Sequence, residues 1–282
     1  ELLMTGSPHA AIASGRVAVI TGGVSGIGLA AARRFAALGL KLVLADADGD
    51  KLKSAEADLG KATDVRTLHC DVADFDQLRA LADLAYGSFG AVSVLMNNAG
   101  MGGFAAPPWA ELDKWRRLVD VNLWGVIHGV QAFVPRMLEA GEPGLVINTG
   151  SKQGLTGPPG AYAYNLSKAG VRSFTEALSY ELSRTEGAQL SAHLLIPGFT
   201  FTGLTRAAEK PAAAWTPDQV VDFMLAAIER GDFYILCPDN EVSREMDEKR
   251  LQWTADDIIK NRPALSRWRP EFAEAFARHV AD

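Results

Sequence analysis

Tyr164 and Lys168 stand four residues apart in Tyr164-Asn165-Leu166-Ser167-Lys168, and Ser151 lies thirteen residues before the tyrosine. Residues at i and i+4 share one face of a helix, so the phenol and the ammonium can lean into one cleft. A free tyrosine has a pKa of about 10 and is a poor proton donor or acceptor near neutral pH. A nearby cation favours the phenolate and draws that value toward the working range. The spacing therefore predicts a tuned general acid/base.

A second group of residues has the makings of an anion site. Thr21-Gly22-Gly23-Val24-Ser25-Gly26-Ile27-Gly28 follows a β-branched run and opens a helical stretch. Glycines let the backbone approach a pyrophosphate closely, and a helix N-terminus offers it free N–H groups and a positive dipole end. Asp46 comes eighteen residues after Gly28, near the spacing at which a carboxylate meets the hydroxyls of an adenosine ribose. It would repel the 2′-phosphate of NADP, and no Arg or Lys at 23–25 or 47 offsets that repulsion. Together these residues point to proton-coupled hydride transfer with NAD as cofactor.

Elements must hold the two groups together, and the pattern from Arg16 onward supplies them. Val17–Ile20, Leu42–Leu44, Val65–His69, Val92–Met96, Leu145–Asn148, Leu190–Ile196 and Tyr234–Cys237 read as strands. Helical stretches fall between them at about 26–38, 50–59, 74–88, 109–139 and 161–186. Strands alternating with helices imply parallel β-α-β units, and open parallel sheets bind ligands beyond the carboxyl ends of their strands. The expected class is α/β, a Rossmann-like doubly wound parallel sheet of about seven strands with helices on both faces. Residues 1–15 read as a flexible tail, 16–237 as one catalytic domain, and 238–282 as a helical, charge-rich extension carrying Trp253, Trp268, Phe272 and Phe276.

Composition excludes more than it selects. A net charge of −6 argues against nucleic acid or an anionic membrane as partner. No run reaches the roughly 18–20 apolar residues of a membrane span. Cys70 and Cys237 are the only cysteines; that gives no disulfide framework and suits a reducing cytoplasm. The five histidines show no metal-ligand spacing, and His128 reads as a packed helix residue.

The chain resembles the short-chain dehydrogenase/reductase superfamily over about residues 14–237, through six motifs in order. They are the Thr-Gly-x-x-x-Gly-x-Gly segment at Thr21–Gly28, Asp71-Val72, Asn97-Asn98-Ala99-Gly100, Asn122 in Val121-Asn122-Leu123-Trp124-Gly125, the Ser151/Tyr164/Lys168 set, and Pro197-Gly198-Phe199-Thr200-Phe201-Thr202. The resemblance implies a role for each. Tyr164 exchanges the alcohol proton, Ser151 hydrogen-bonds the reacting oxygen, and Lys168 holds the nicotinamide ribose and lowers the Tyr164 pKa. Asn122 holds a water leading from Lys168 to solvent. Gly22, Ser25, Gly26, Ile27, Gly28, Asp46, Asp71, Val72, Asn98, Thr200 and Thr202 contact the cofactor. Gly150 precedes the serine where many relatives carry a second serine, and Lys152 follows it, a charge placed either to bind an acidic group or to face solvent.

Substrate choice in this family comes from the loops after strands four and five and the segment after Pro197-Gly198. Those supply Phe104, Gln153, Leu155, Tyr162, Phe199, Phe201, Leu204 and Trp215, a lining suited to an apolar or aromatic secondary alcohol or its ketone. Gln153 joins Ser151 and Tyr164 as a substrate contact, while Arg206 and Lys210 leave room for a carboxylate- or CoA-bearing substrate. Two alternatives stay open: an NADPH-dependent carbonyl or 3-oxoacyl reductase, and a dinucleotide-sensing protein without turnover. The long apolar helices at 109–139 and 161–186 imply, by the resemblance, a homotetramer with two-fold axes.

Overall fold

The computed structural model describes residues 9–205 and 208–281. Its strands are β1 (Val17–Thr21), β2 (Lys41–Asp46), β3 (Val65–His69), β4 (Val94–Asn97), β5 (Gly144–Thr149), β6 (Leu190–Ile196) and β7 (Tyr234–Leu236). They form one parallel sheet in the order β3-β2-β1-β4-β5-β6-β7. Each central strand buries both of its faces. In β1, Ala18 and Ile20 enter one core while Val17 and Val19 enter the other; in β2, Leu42 and Leu44 divide from Val43 and Ala45 in the same way. Near-continuous apolar strands are what a sheet covered on both sides requires.

Helices close the two faces. Phe35 of α1 (Gly26–Ala37), Leu52 of α2 (Gly49–Leu59) and Leu225 of α8 (Pro217–Glu229) fill the first core. Leu78 of α3 (Phe75–Phe89) and Phe133 of α5 (Gly125–Ala140) fill the second, with Leu182 of α7 (Tyr162–Arg184) at its edge. The chain runs outward from β1 to β3 and returns to β4 on the opposite side. The crevice beyond the carboxyl ends of β1 and β4 is therefore the topological switch point, where open α/β sheets place their ligands.

Four expectations change. Of the tail expected over residues 1–15, residues 1–8 lie outside the described residues, and 9–15 are tied down: Ala11 and Ile12 are buried in the first core, and Gly15 N–H donates to the Gly39 carbonyl. The helix expected over 109–139 is α4 (Leu112–Val119) joined to α5 through a π-helical turn at Asp120–Trp124. A four-residue helix, α6 (Gln153–Thr156), follows β5, and α8 adds an element the strand-and-helix pattern had left out. The last segment holds α9 (Arg244–Ile259) and α10 (Ala273–Ala281), and its aromatics pack largely within it. Trp253 is buried, donates from Nε1 to Ser266 Oγ at 2.8 Å, and meets Phe276 edge-on at 5.3 Å.

Candidate active site

At the switch point a cavity of about 910 Å³ runs from Asp46 and Asp71 at one end to Ser151, Gln153 and Leu204 at the other. Gly22, Ser25, Gly26, Ile27, Val72, Asn98, Tyr164, Lys168, Thr200 and Thr202 also line it. All of the residues expected to touch a dinucleotide except Gly28, which packs behind the turn against the Gly22 carbonyl, thus face one space.

The β1–α1 turn fits a phosphate. Ser25, the N-cap of α1, makes no side-chain cap, and the first turn holds no acid, so the leading N–H groups keep no anionic partner of their own. A Cβ on Gly28 would fall 2.1 Å from the Gly22 carbonyl oxygen, so only glycine lets the turn fold back so closely. Asn98 braces the loop, its Nδ2 donating to the Thr21 and Gly22 carbonyls at 3.3 and 3.2 Å. Asp46 faces the cavity while one oxygen accepts the Asp48 N–H at 3.0 Å, leaving the other for a ribose.

Asp71 brings a residue that the sequence did not announce. Arg117, on α4, donates to its Oδ2 at 2.8 Å and lines the cavity with it. Burial pushes the Asp71 carboxyl up, but Arg117 and the Ala73 N–H outweigh it and hold the group below its ordinary value. Val72 contributes its carbonyl to His128 Nδ1 at 2.9 Å, and that ring packs between Phe75 and Trp124.

Four residues gather where the proton chemistry would occur. Tyr164 and Lys168 share a face of α7, with Lys168 Nζ 5.8 Å from the phenol ring centroid. Lys168 is buried and donates to the Thr149 carbonyl at 2.7 Å; burial pulls its ammonium down to about 8. The expectation that Lys168 lowers the phenol's pKa is not met in the protein alone. Burial raises the Tyr164 value, and the hydrogen bond with Ser151 only partly opposes it. Ser151 also accepts the Gln153 N–H at 3.2 Å, which fixes the turn that presents its hydroxyl. Asn122 sits fully buried in the π-helical turn, its Oδ1 accepting the Met101 N–H at 2.7 Å and its Nδ2 donating to the Met101 carbonyl at 3.0 Å.

The substrate end is only partly the one expected. Phe104, Gln153, Phe199 and Leu204 line the cavity, together with Met101 and Ala161. Leu155 packs instead against the apolar cluster of Val171 and Ile196, and Trp215 packs on Phe223. Tyr162 and Phe201 lie outside the lining. Lys210 turns to backbone carbonyls of Pro211 and Ala214, and Arg206 lies outside the described residues. Lys152 lines the cavity beside Ser151 and is mostly buried, its charge engaged within the protein: its Nζ lies 2.6 Å from Asp247 and 3.4 Å from Asp239. Among the described residues no group of three His, Cys, Asp or Glu side chains could hold a metal, and no helix is long and apolar enough to cross a membrane.

Comparison with known proteins gives the family and the fold. The profile of the family described as short chain dehydrogenase matches residues 16–213. The 1-deoxy-11-beta-hydroxypentalenate dehydrogenase of Streptomyces avermitilis is 32% identical over 244 residues, 84% of this chain and 89% of that protein. A 2-dehydro-3-deoxy-L-rhamnonate dehydrogenase (NAD(+)) of Sphingomonas sp. is 37% identical over 219 residues, 77% and 82% of the two chains. Among solved structures, a short chain dehydrogenase/reductase from Burkholderia phymatum in complex with NAD superposes with a TM-score of 0.81 at 32% identity, covering 89% of this chain and 96% of that one.

Proposed function

The chain belongs to the short-chain dehydrogenase family, and from that premise we propose that it transfers hydride between NAD and a neutral secondary alcohol or its ketone. One observation carries the reading: Ser151, Tyr164 and Lys168 meet in the same cavity whose far end holds the uncapped α1 N-terminus and Asp46.

NAD bound there would supply the hydride acceptor; the chain does the rest. Ser151 donates a hydrogen bond to the reacting oxygen, and that bond strengthens as charge develops. Tyr164 takes the alcohol proton in oxidation and returns it in reduction. Lys168 would hold the nicotinamide ribose through its ammonium, and Asn122 would help place a water linking Lys168 to solvent. At the other end Asp46 would accept from the ribose hydroxyls, while Arg117 and Asp71 would border the adenine. The apolar faces of Phe104, Phe199 and Leu204 select a neutral, hydrophobic substrate. The same reading makes the enzyme a cytoplasmic homotetramer.

A panel of secondary alcohols scored by nicotinamide absorbance tests the assignment. Apolar alcohols should be oxidised with NAD, and NADP should serve worse in kcat/KM. Tyr164→Phe should retain NAD binding while losing about 10²–10⁴ in turnover, the usual worth of a positioned acid/base. Turnover by Tyr164→Phe close to that of the unmodified enzyme would overturn the reading.

A further inference from the structure

The least expected charge in the molecule is Lys152, next to Ser151. Its side chain is 17% exposed, and its two partners, Asp239 and Asp247, are 5% and 6% exposed. Both carboxylates come from the segment after β7: Asp239 from the loop that leaves the sheet, Asp247 from the first turn of α9. A buried charge is tolerated only when paired and hydrogen-bonded; among the described residues the ammonium has these two carboxylates as its ion-pair partners, and Arg250 adds favourable charge beside Asp247.

Each member is tied to a different part of the site. The Lys152 carbonyl accepts the Leu155 N–H at 3.0 Å and the Thr156 hydroxyl at 3.2 Å, so the residue opens α6 directly behind the serine. Asp239 Oδ2 accepts the Phe199 N–H at 3.2 Å, and its Oδ1 accepts those of Glu241 and Val242 at 3.1 and 2.8 Å. The fit is close at Gly198, where a Cβ would stand 2.8 Å from Asp239 Oδ2 and 3.0 Å from Lys152 Nζ. Asp247 brings α9, whose Trp253 and Asp257 in turn hold Ser266. The neighbouring Leu265 reaches toward Gly157, in the loop after α6. One ammonium thus joins the serine turn, the Pro197–Gly198 segment and the C-terminal extension.

We propose that Lys152, Asp239 and Asp247 form a positioning clamp that fixes the separation of the Ser151 turn from the Phe199–Thr200 segment, making the C-terminal extension a working part of the active site. The clamp rests on the dehydrogenase reading above for its effect on turnover, but not for its effect on the two segments. With its ammonium held by the two carboxylates, Lys152 acts through its neighbours. Geometry of this kind matters because a displacement of about 1 Å at a reacting centre can cost up to roughly 10²-fold in rate.

The test uses Lys152→Met, Asp239→Asn and Asp247→Asn in the full chain, the last two keeping side-chain volume. Hydrogen exchange should quicken in residues 151–160 and 197–205 in every folded variant, with the protection of β1 and α1 unchanged. NAD binding, followed by tryptophan fluorescence, counts the competent sites by which turnover is divided; it should weaken but persist, because Thr200 and Thr202 lie in the clamped segment whereas Asp46 and the body of the glycine turn do not. Turnover per NAD-binding site should fall by about 10- to 100-fold. A merely structural role would lower the thermal midpoint and the number of competent sites, yet leave turnover per site intact. Should Lys152→Met fail to fold, Asp247→Asn carries the test, because its carboxylate lies on α9, away from both segments. Unchanged exchange at 151–160 and 197–205 in a folded Asp247→Asn overturns the clamp, as does unchanged turnover per site. If no alcohol is oxidised by the unmodified protein, the dehydrogenase reading fails while the exchange result still decides the clamp.

Discussion

Tyr164 and Lys168 are tuned by burial more than by each other. The phenol lies above its ordinary value and the ammonium below, at about 8. Oxidation needs the phenolate as base, so its kcat should climb with pH and continue climbing beyond 8. Reduction needs the protonated phenol and should stay level over the same window. Stability carries a separate signature of Lys168. An unfolded lysine keeps its proton up to about 10.5, whereas the folded one releases it near 8. Between those values the unfolded chain binds more protons, so folding stability rises with pH. The cost of burying the ammonium is complete below 8 and disappears toward 10.5. Thermal midpoints of the unmodified protein and of Lys168→Met, compared across that window, isolate the effect from Cys70 and Cys237, whose buried thiols are pushed up to about 12. The unmodified protein should gain on the variant as pH rises; a constant difference would refute the assignment to Lys168.

Elements explain which parts of this site could be read from the chain and which could not. The strands announced themselves because a doubly covered parallel sheet demands apolar, β-branched runs, and the glycine turn did so because its backbone approach admits no side chain. The break between α4 and α5 gave no such signal. Apolar residues continue at helical spacing through Asp120–Trp124, and one extra residue per turn leaves no mark on composition. Helix α8 was legible but unread: Thr216 and Gln219 form a capping box with Pro217 at the first position. The pairings of Arg117 with Asp71 and of Lys152 with Asp239 and Asp247 join distant parts of the chain, and no local pattern foretells them. The π-helical turn nevertheless has a measurable purpose. It aims Asn122 at both the N–H and the carbonyl of Met101, tying the loop after β4 to the helix pair. Asn122→Leu would strand those groups at a cost of about 1–2 kcal/mol, or roughly 2–3 °C in Tm for a chain of this length. An unchanged Tm would show that the loop does not depend on that amide.

At the scale of the whole molecule, the question is what covers the outer face of α4, α5 and α7. These helices already give their inner faces to the second core through Phe133, Val134 and Leu182. On the outside they leave Leu112, Trp124, Leu166 and Tyr180 exposed, at 61%, 48%, 54% and 58%. Single exposed apolar residues are ordinary, but several large ones on one helix pair mark a contact surface. A two-fold axis through that surface would set each helix against its own copy, giving a self-complementary interface of the kind closed symmetric oligomers use. Such a dimer still leaves Ile258 and Ile259 at the end of α9 at 85% and 75% exposure, with Trp268 at 42% nearby in the chain. A second two-fold contact there would complete a tetramer. Light scattering coupled to size exclusion should then report four copies at micromolar concentration. Tyr180→Glu with Leu166→Glu, which buries like charges against their own copies, should reduce the assembly, whereas Ile258→Glu with Ile259→Glu should stop it at the dimer. A monomeric unmodified protein would refute both interfaces, and a stable dimer would leave only the contact through α4, α5 and α7 standing.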